Sequence, residues 1–385
     1  MSGLSATSGG VSGGVSGGVS GGVSGGVSGG VSGGVSGGVS GGVSGGVSGG
    51  VSGGVSAASP LLAGALNLSR SALVGPYQGA TLPIHLPVPL DKPDRLSHWA
   101  AGPRMAVCEL ALMAGLHFAV NQGRESVAVH FVDLDKKPLK DHQLISLRRP
   151  TEDIFRQQLR LVDDYAELRG DRGAEILAQM APQTAFWGSI VGLHDHRHKY
   201  TLELVSLVLT LAIQIEMRFK AAFACQRPDD LSPQIQPMIP TPGHGSWPSG
   251  HATEAFAIAT VLQALLPKGE KYKEQLERQA ARIAVNRTVA GLHFPVDSAV
   301  GRLLGTALAE FFVARCNGGK VHERGFDGTK FHGSAGHVID FDPRVSMTDN
   351  KSRYYHQGPA IRGIATSPIL AFMWAKAAKE WQPLK

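Results

Sequence analysis

The chain has 385 residues, 43% hydrophobic and 18% charged, and its 37 Lys and Arg against 31 Asp and Glu leave a formal charge of +6. That length is enough for a substantial core, and so modest an excess of base, with no basic-aromatic cluster, argues against a nucleic-acid partner. Three cysteines (Cys108, Cys225, Cys316) without a CxxC spacing argue against a disulfide framework and for a reducing compartment.

From Val11 to Ser56 the sequence repeats V-S-G-G, and no charged residue precedes Arg70. One Val in four, flanked by Gly and Ser, buries too little apolar surface to offset the ordering entropy of so many glycines. Residues 1–56 are therefore expected to be a disordered low-complexity tail, and residues 57–385 a single α-helical domain. The tail lacks a basic n-region and an unbroken apolar h-region, so it does not read as a secretory signal.

Residues 57–98 are Pro-rich and read as extended chain wrapping the body. A helix is expected from about Pro103 to Phe118. S-V-A-V-H-F-V-D (Ser126 to Asp133) then alternates like one short strand. Thr151 before Glu152 and Asp153 marks a helix start, Gly170 a stop, and Ile154, Leu159, Val162, Tyr165 and Leu168 recur between them at helical spacing. The run His194 to His198 (H-D-H-R-H) reads as a solvated loop, because alternate positions on a short polar connector do not converge on a metal without special geometry. Residues 201–223 form the most apolar helix candidate. Its uninterrupted part, Leu204 to Ile213, is about half of what a bilayer needs, and Glu203 and Glu216 bracket it. It reads as a buried core helix, so no membrane insertion is expected and the protein is expected to be cytoplasmic or otherwise soluble. Segments 252–266, about 272–292 and 296–315 look helical, and the last seventy residues read as loops with a short helix near Pro368–Glu380. The expected fold is mainly α: a helical bundle with its site between bundle helices. Nothing in the sequence opposes a homo-oligomer.

Three blocks carry the chemistry: K-A-A-F-A-C-Q-R-P (Lys220 to Pro228), W-P-S-G-H-A (Trp247 to Ala252) and N-R-T-V-A-G-L-H-F-P-V-D (Asn286 to Asp297). Lys220, Arg227 and Arg287 bring three positive charges, two of them planar forks that grip oxyanions bidentately. Ser249 and Gly250 offer a hydroxyl and a closely approachable backbone at the start of a helix, where free N–H groups favour anions. His251 and His293 can serve as acid and as nucleophile or metal ligand. Asp297, four residues after His293 and in the first turn of the next helix, can fold back to orient the imidazole.

In order and spacing these blocks resemble the superfamily of phosphatidic acid phosphatases, bacterial non-specific acid phosphatases and vanadium-dependent haloperoxidases, with its pattern Lys-x6-Arg-Pro, Pro-Ser-Gly-His and Ser-Arg-x5-His-x3-Asp. The one departure is Asn286 where Ser is usual, and an Asn can keep a local hydrogen bond. The resemblance covers about residues 195 to 312. It implies either of two activities. In a haloperoxidase, His293 would ligate vanadate, Lys220, Arg227, Ser249, Gly250 and Arg287 would hold its oxygens, and the partners would be hydrogen peroxide and a halide. In a soluble acid phosphatase there would be no cofactor, His293 would attack a phosphate monoester, and His251 would protonate the leaving alcohol. His244, seven residues before His251, tilts the reading to the haloperoxidase, since vanadium bromoperoxidases carry a histidine at that offset. The Lys-x6-Arg spacing and the wording H-F-P-V-D tilt it toward the phosphatase.

Overall fold

The computed structural model describes residues 60–76, 79, 82–120, 125–134, 137–180, 183–333 and 337–382; the V-S-G-G tail expected at 1–56 lies outside them. The chain divides into two compact units, residues 1–108 and 109–385. The first contains α1 (Pro60–Leu73), a short 3-10 helix (Pro93–His98) and the first residues of α2 (Ala101–Met113). Arg104 of α2 donates to the Leu96 and Trp99 carbonyls, closing the turn that precedes it.

The second unit holds β1 (Leu116–Val120), β2 (Ser126–Val132), β3 (Asp141–Arg148), α3 (Glu152–Tyr165), α4 (Arg169–Ala178), α5 (Thr184–Val191) and α6 (Lys199–Phe223). There follow α7 (Pro228–Leu231), α8 (Gly250–Leu265), α9 (Lys273–Val289), α10 (Pro295–Asn317), β4 (Val321–Asp327), β5 (Tyr355–Ile361) and α11 (Pro368–Glu380). Thr151 stands at the N-cap of α3, but Gly170 does not stop the helical run; it lies inside α4. Among the described residues, no helix is long and apolar enough to cross a membrane.

The expectation of a helical bundle without a sheet is corrected. Helices dominate, yet β1 to β5 form one mixed sheet in the order β1-β2-β3-β4-β5. All neighbours are antiparallel except β3 and β4, which run parallel. Only β2 had a visible alternation. Leu116 to Phe118, expected to finish a helix, begin β1 instead, and β4 and β5 arise in the segment expected to be loops. The cause is that a parallel pair joins Ile145 to Arg324 across most of the unit, so the pairing that makes V-H-E-R-G-F-D a strand is non-local.

The inner face of the sheet rests on the helices. Phe118 meets Phe219 of α6 edge-on at 5.5 Å, and Phe131 meets Phe311 of α10 at 5.0 Å. Tyr355 of β5 donates its hydroxyl to the Ala299 carbonyl at 2.9 Å. At the far end of α6 the Glu380 carboxylate accepts from the N–H groups of Tyr200 (2.8 Å) and Thr201 (2.9 Å), capping that helix from α11.

The closest helix pairing is α8 against α10. A Cβ at Gly305 would lie 2.1 Å from the Thr253 carbonyl oxygen, and one at Gly301 would lie 2.7 Å from the Ala252 Cβ. Two glycines one turn apart thus let the backbones approach more closely than side chains permit. That approach sets the start of α8 beside the first turn of α10, where Ser249 N–H donates to the Asp297 carbonyl at 3.0 Å.

Candidate oxyanion site

Helix ends and the loops between them supply the site. Lys220 comes from the last turn of α6, Arg227 precedes α7, Ser249 is the N-cap of α8, and Arg287 lies in the last turn of α9. His293 precedes α10 and Asp297 opens it. Lys220, Arg227, Ser249, Arg287, His293 and Asp297 are all buried. A surface groove of about 500 Å³ between α8, α9 and α10, lined among others by Thr260, Gln263, Glu277 and Arg302, includes none of them.

His293 is held in one orientation. Its Nδ1 lies 2.9 Å from Asp297 Oδ2, which also accepts from the Phe294 N–H at 3.1 Å. A proton on Nδ1 directed at the carboxylate leaves the lone pair on Nε2, 3.5 Å from Nη1 of Arg227. Burial, then the charges of Arg227 and Lys220, hold His293 well below the usual histidine range. The imidazole is therefore neutral and offers Nε2 as nucleophile or metal ligand. Burial also lifts Asp297 to about 7, opposed by the Phe294 N–H and by Lys220 and Arg227.

Arg227 is fixed by donating Nε to the His244 carbonyl (3.0 Å) and Nη1 to the Leu292 carbonyl (2.9 Å). Its Nη2 stands 3.3 Å from His244 Nδ1, so the structure brings His244 to the same guanidinium that faces His293. Burial and the Lys220 charge push His244 down to about 4. Lys220 Nζ donates to the carbonyls of Gly245 (3.2 Å), Ser246 (3.2 Å) and Pro248 (2.5 Å), tying α6 to the loop that carries Ser249. Its charge is thereby centred under that loop.

His251 Nε2 lies 3.1 Å from the Gln179 carbonyl, which can only accept, so the proton sits on Nε2 and the lone pair on Nδ1. Burial and the neighbouring Arg287 lower His251 to about 3. Arg287 donates Nη2 to Gln179 Oε1 at 2.8 Å, while its Nε and Nη1 and the Ser249 hydroxyl are buried without a protein partner. Unpaired donors at such depth are costly, and an oxyanion satisfies them. The donor set thus fits a tetrahedral oxyanion such as phosphate or vanadate.

Sequence reasoning missed four contributors: Gln179, Arg172, Glu216 and Glu254. Gln179, at the end of α4, supports His251 with its carbonyl and both Asn286 (3.1 Å) and Arg287 with its side chain. More than a hundred residues separate it from Arg287, so no local signal could reveal it. Asn286 also accepts from Arg172 Nη1 at 3.1 Å, which accounts for an amide where the usual Ser has one hydroxyl: it bridges Arg172 and Gln179. Glu216 and Glu254 were legible in principle, since Glu216 is one turn before Lys220 and Glu254 three residues after His251. The Glu216 carboxylate packs on Gly250, where an added Cβ would lie 2.6 Å from Oε1. Burial holds Glu216 well above the usual carboxylate range and lifts Glu254 to about 7. Two buried acids, Glu216 and Asp297, and the half-buried Glu254 thus accompany three buried cations, and the acids keep part of their protons near neutrality, which leaves the cage net positive for an anion.

A pH prediction follows from these groups. Burial lowers Lys220 to about 8, so its charge is present below that pH and lost above it. Asp297 and Glu254 gain negative charge as pH rises through about 7. Both changes oppose an anion. Affinity for tungstate, whose own charge is constant in this range, should begin to fall near neutrality and steepen to about tenfold per pH unit above 8. Calorimetric titration from pH 6 to 9.5 checks it, with Lys220→Met losing the upper step. A flat profile would contradict the assignment.

The His194–His198 run folds as a local turn: His198 Nδ1 accepts from the His194 N–H (3.1 Å), His194 Nδ1 accepts from the His196 N–H (3.2 Å), and His198 stacks on Trp381.

The chain matches no curated protein. Its residues 200–317, from the second residue of α6 to the last of α10, match the family model of the PAP2 superfamily, which takes in phosphatases and vanadium haloperoxidases. With Lys220, Arg227, Ser249, His251, Arg287, His293 and Asp297 all inside that segment, the chain carries a PAP2 superfamily domain.

Proposed function

We propose that this domain is a vanadium-dependent haloperoxidase that oxidises bromide with hydrogen peroxide. The observation that carries the reading is His244, whose Nδ1 lies 3.3 Å from the Arg227 guanidinium. It adds to the cage an imidazole that the cage does not need merely to hold an anion. His293 Nε2 would ligate the vanadium, Arg227, Arg287, the Ser249 hydroxyl and the Gly250 N–H would hold vanadate oxygens, and Lys220, whose three N–H groups go to carbonyls, would add its charge from beneath them. When bound, vanadate supplies a Lewis acid that activates peroxide toward halide attack without itself changing oxidation state. The chain's own groups do the rest. Asp297 keeps the proton of His293 on Nδ1, the three cations neutralise oxyanion charge, and His251 Nδ1 takes and returns the proton of the incoming peroxide. His244, beside Arg227, sets the polarity of the side on which halide arrives.

A second reading, a phosphomonoesterase, is favoured by the neutral, Asp297-oriented His293, which suits in-line attack on phosphorus. The bond from phosphorus to the alcohol oxygen would break as His293 Nε2 bonds to phosphorus. The leaving alcohol oxygen would take its proton through His251 Nδ1, whose lone pair first receives it from the bound monoester monoanion, and water would then hydrolyse the phosphohistidine.

His244→Ala separates the two. In the haloperoxidase the change should depress bromide oxidation by about tenfold or more, equivalent to about 1.4 kcal/mol of barrier, while vanadate stays bound. Undetectable bromination by vanadate-loaded wild type, alongside robust monoester hydrolysis by vanadate-free protein that His244→Ala leaves within about tenfold, would establish the phosphatase instead.

A further inference from the structure

The outer face of the sheet carries a second constellation of ligand-type side chains, unrelated to the oxyanion cage. β1 and β2 pair His117 directly with His130. Between β2 and β3 the register shifts at Val129/His130: Val129 faces Ile145, but His130 faces Gln143 and Val132 faces Asp141. The bulge has a chemical consequence. Leu144 is the extra residue, opposite no partner on β2 and buried like Ile145, and its absorption turns Gln143 and Asp141 to the face of His130. That face looks away from α6 and α10, because Phe118 and Phe131, the neighbours of His117 and His130, pack onto those helices.

Two imidazoles from different strands converge on one carboxylate. His117 Nε2 lies 3.5 Å from Asp141 Oδ2, and His130 Nδ1 lies 3.2 Å from Asp141 Oδ1. One ligand atom from each of the three residues lies within 4.8 Å of the others. Gln143, next to Asp141 on the same face, donates to Glu323, which places a further acid along the sheet.

We propose that His117, His130 and Asp141 form a binding site for a divalent transition-metal ion of the zinc class. Two nitrogens and one carboxylate oxygen are the donors such ions prefer, whereas magnesium and calcium take oxygen alone. Zinc bonds of about 2.0–2.2 Å require donors a little over 3 Å apart, and rotations of three partly exposed side chains supply that contraction without moving the strands. Solvent completes the coordination, since His117 and Asp141 are both exposed. The ion would clip β1, an edge strand, to β2 and β3. The role is structural, and the site is independent of the chemistry proposed above.

Zinc titration of the full chain at pH 7.5, with any affinity tag removed, tests it. Calorimetry should find one zinc ion per chain at micromolar affinity, with a rise of several degrees in melting temperature. His117→Ala, His130→Ala and the isosteric Asp141→Asn should each weaken binding by at least about tenfold and suppress the thermal shift. The paired change His194→Ala/His196→Ala should leave both intact. Circular dichroism of each variant separates loss of the site from loss of the fold, and Asp141→Asn keeps the test decisive if a histidine variant is unfolded. Absence of stoichiometric binding in wild type, or equal affinity in folded His130→Ala and Asp141→Asn, would overturn the proposal.

Discussion

Gly305→Ala should lower the melting temperature by several degrees and weaken anion binding at the same time. The added methyl carbon would stand 2.1 Å from the Thr253 carbonyl oxygen and 3.0 Å from the Ala257 nitrogen. Both neighbours are backbone, so no side chain can rotate to relieve the clash. Overpacking of this kind costs about 1–3 kcal/mol, whereas Ala over Gly in a helix returns about 1 kcal/mol; the steric cost wins. Relief requires α8 and α10 to part, and the parting would disturb the bond from Ser249 N–H to the Asp297 carbonyl that holds the two halves of the cage together. A melt paired with tungstate titration reads both effects. An unchanged or raised melting temperature would show that the helix contact tolerates the extra volume.

His293→Ala should abolish turnover, by at least about a thousandfold, whichever of the two reactions the domain performs. The imidazole is the one group whose Nε2 lone pair is both directed into the cage and protected from protonation, by burial and by Arg227 and Lys220. The fold should survive, because Asp297 keeps the Phe294 N–H as a partner and Ser249 keeps the Asp297 carbonyl. Steady-state assays for bromide oxidation and for monoester hydrolysis check the claim, with circular dichroism as the control. More than a tenth of wild-type rate in either assay would remove His293 from the chemistry.

The site was largely legible because its groups lie in three short blocks, each carrying its own local signal: an Arg before a helix-starting Pro, a Ser-Gly at a helix N-terminus, and an Asp one turn after a His. The long helices were legible for the same reason, their apolar spacing being local. The sheet was not. Arg324 finds its place on β4 only when Ile145 lies beside it, and β1 starts inside a stretch whose local pattern is helical. Gln179 was equally hidden, since what makes it important is the arrival of His251, Asn286 and Arg287 from elements far away in sequence. Glu216 is a different case: it bounds the apolar run of α6, yet its spacing from Lys220 puts both on one helix face.

The most direct test of the central claim, that the three blocks make one oxyanion site served by His293, is titration of the metal-free full chain with orthovanadate, in wild type and His293→Ala. One vanadate should bind per wild-type chain, competed by phosphate and tungstate, with the bound protein then oxidising bromide in the presence of peroxide. His293→Ala should lose the tight binding. A wild-type chain that binds none of these oxyanions, or a folded His293→Ala that binds vanadate as tightly as wild type, would contradict it.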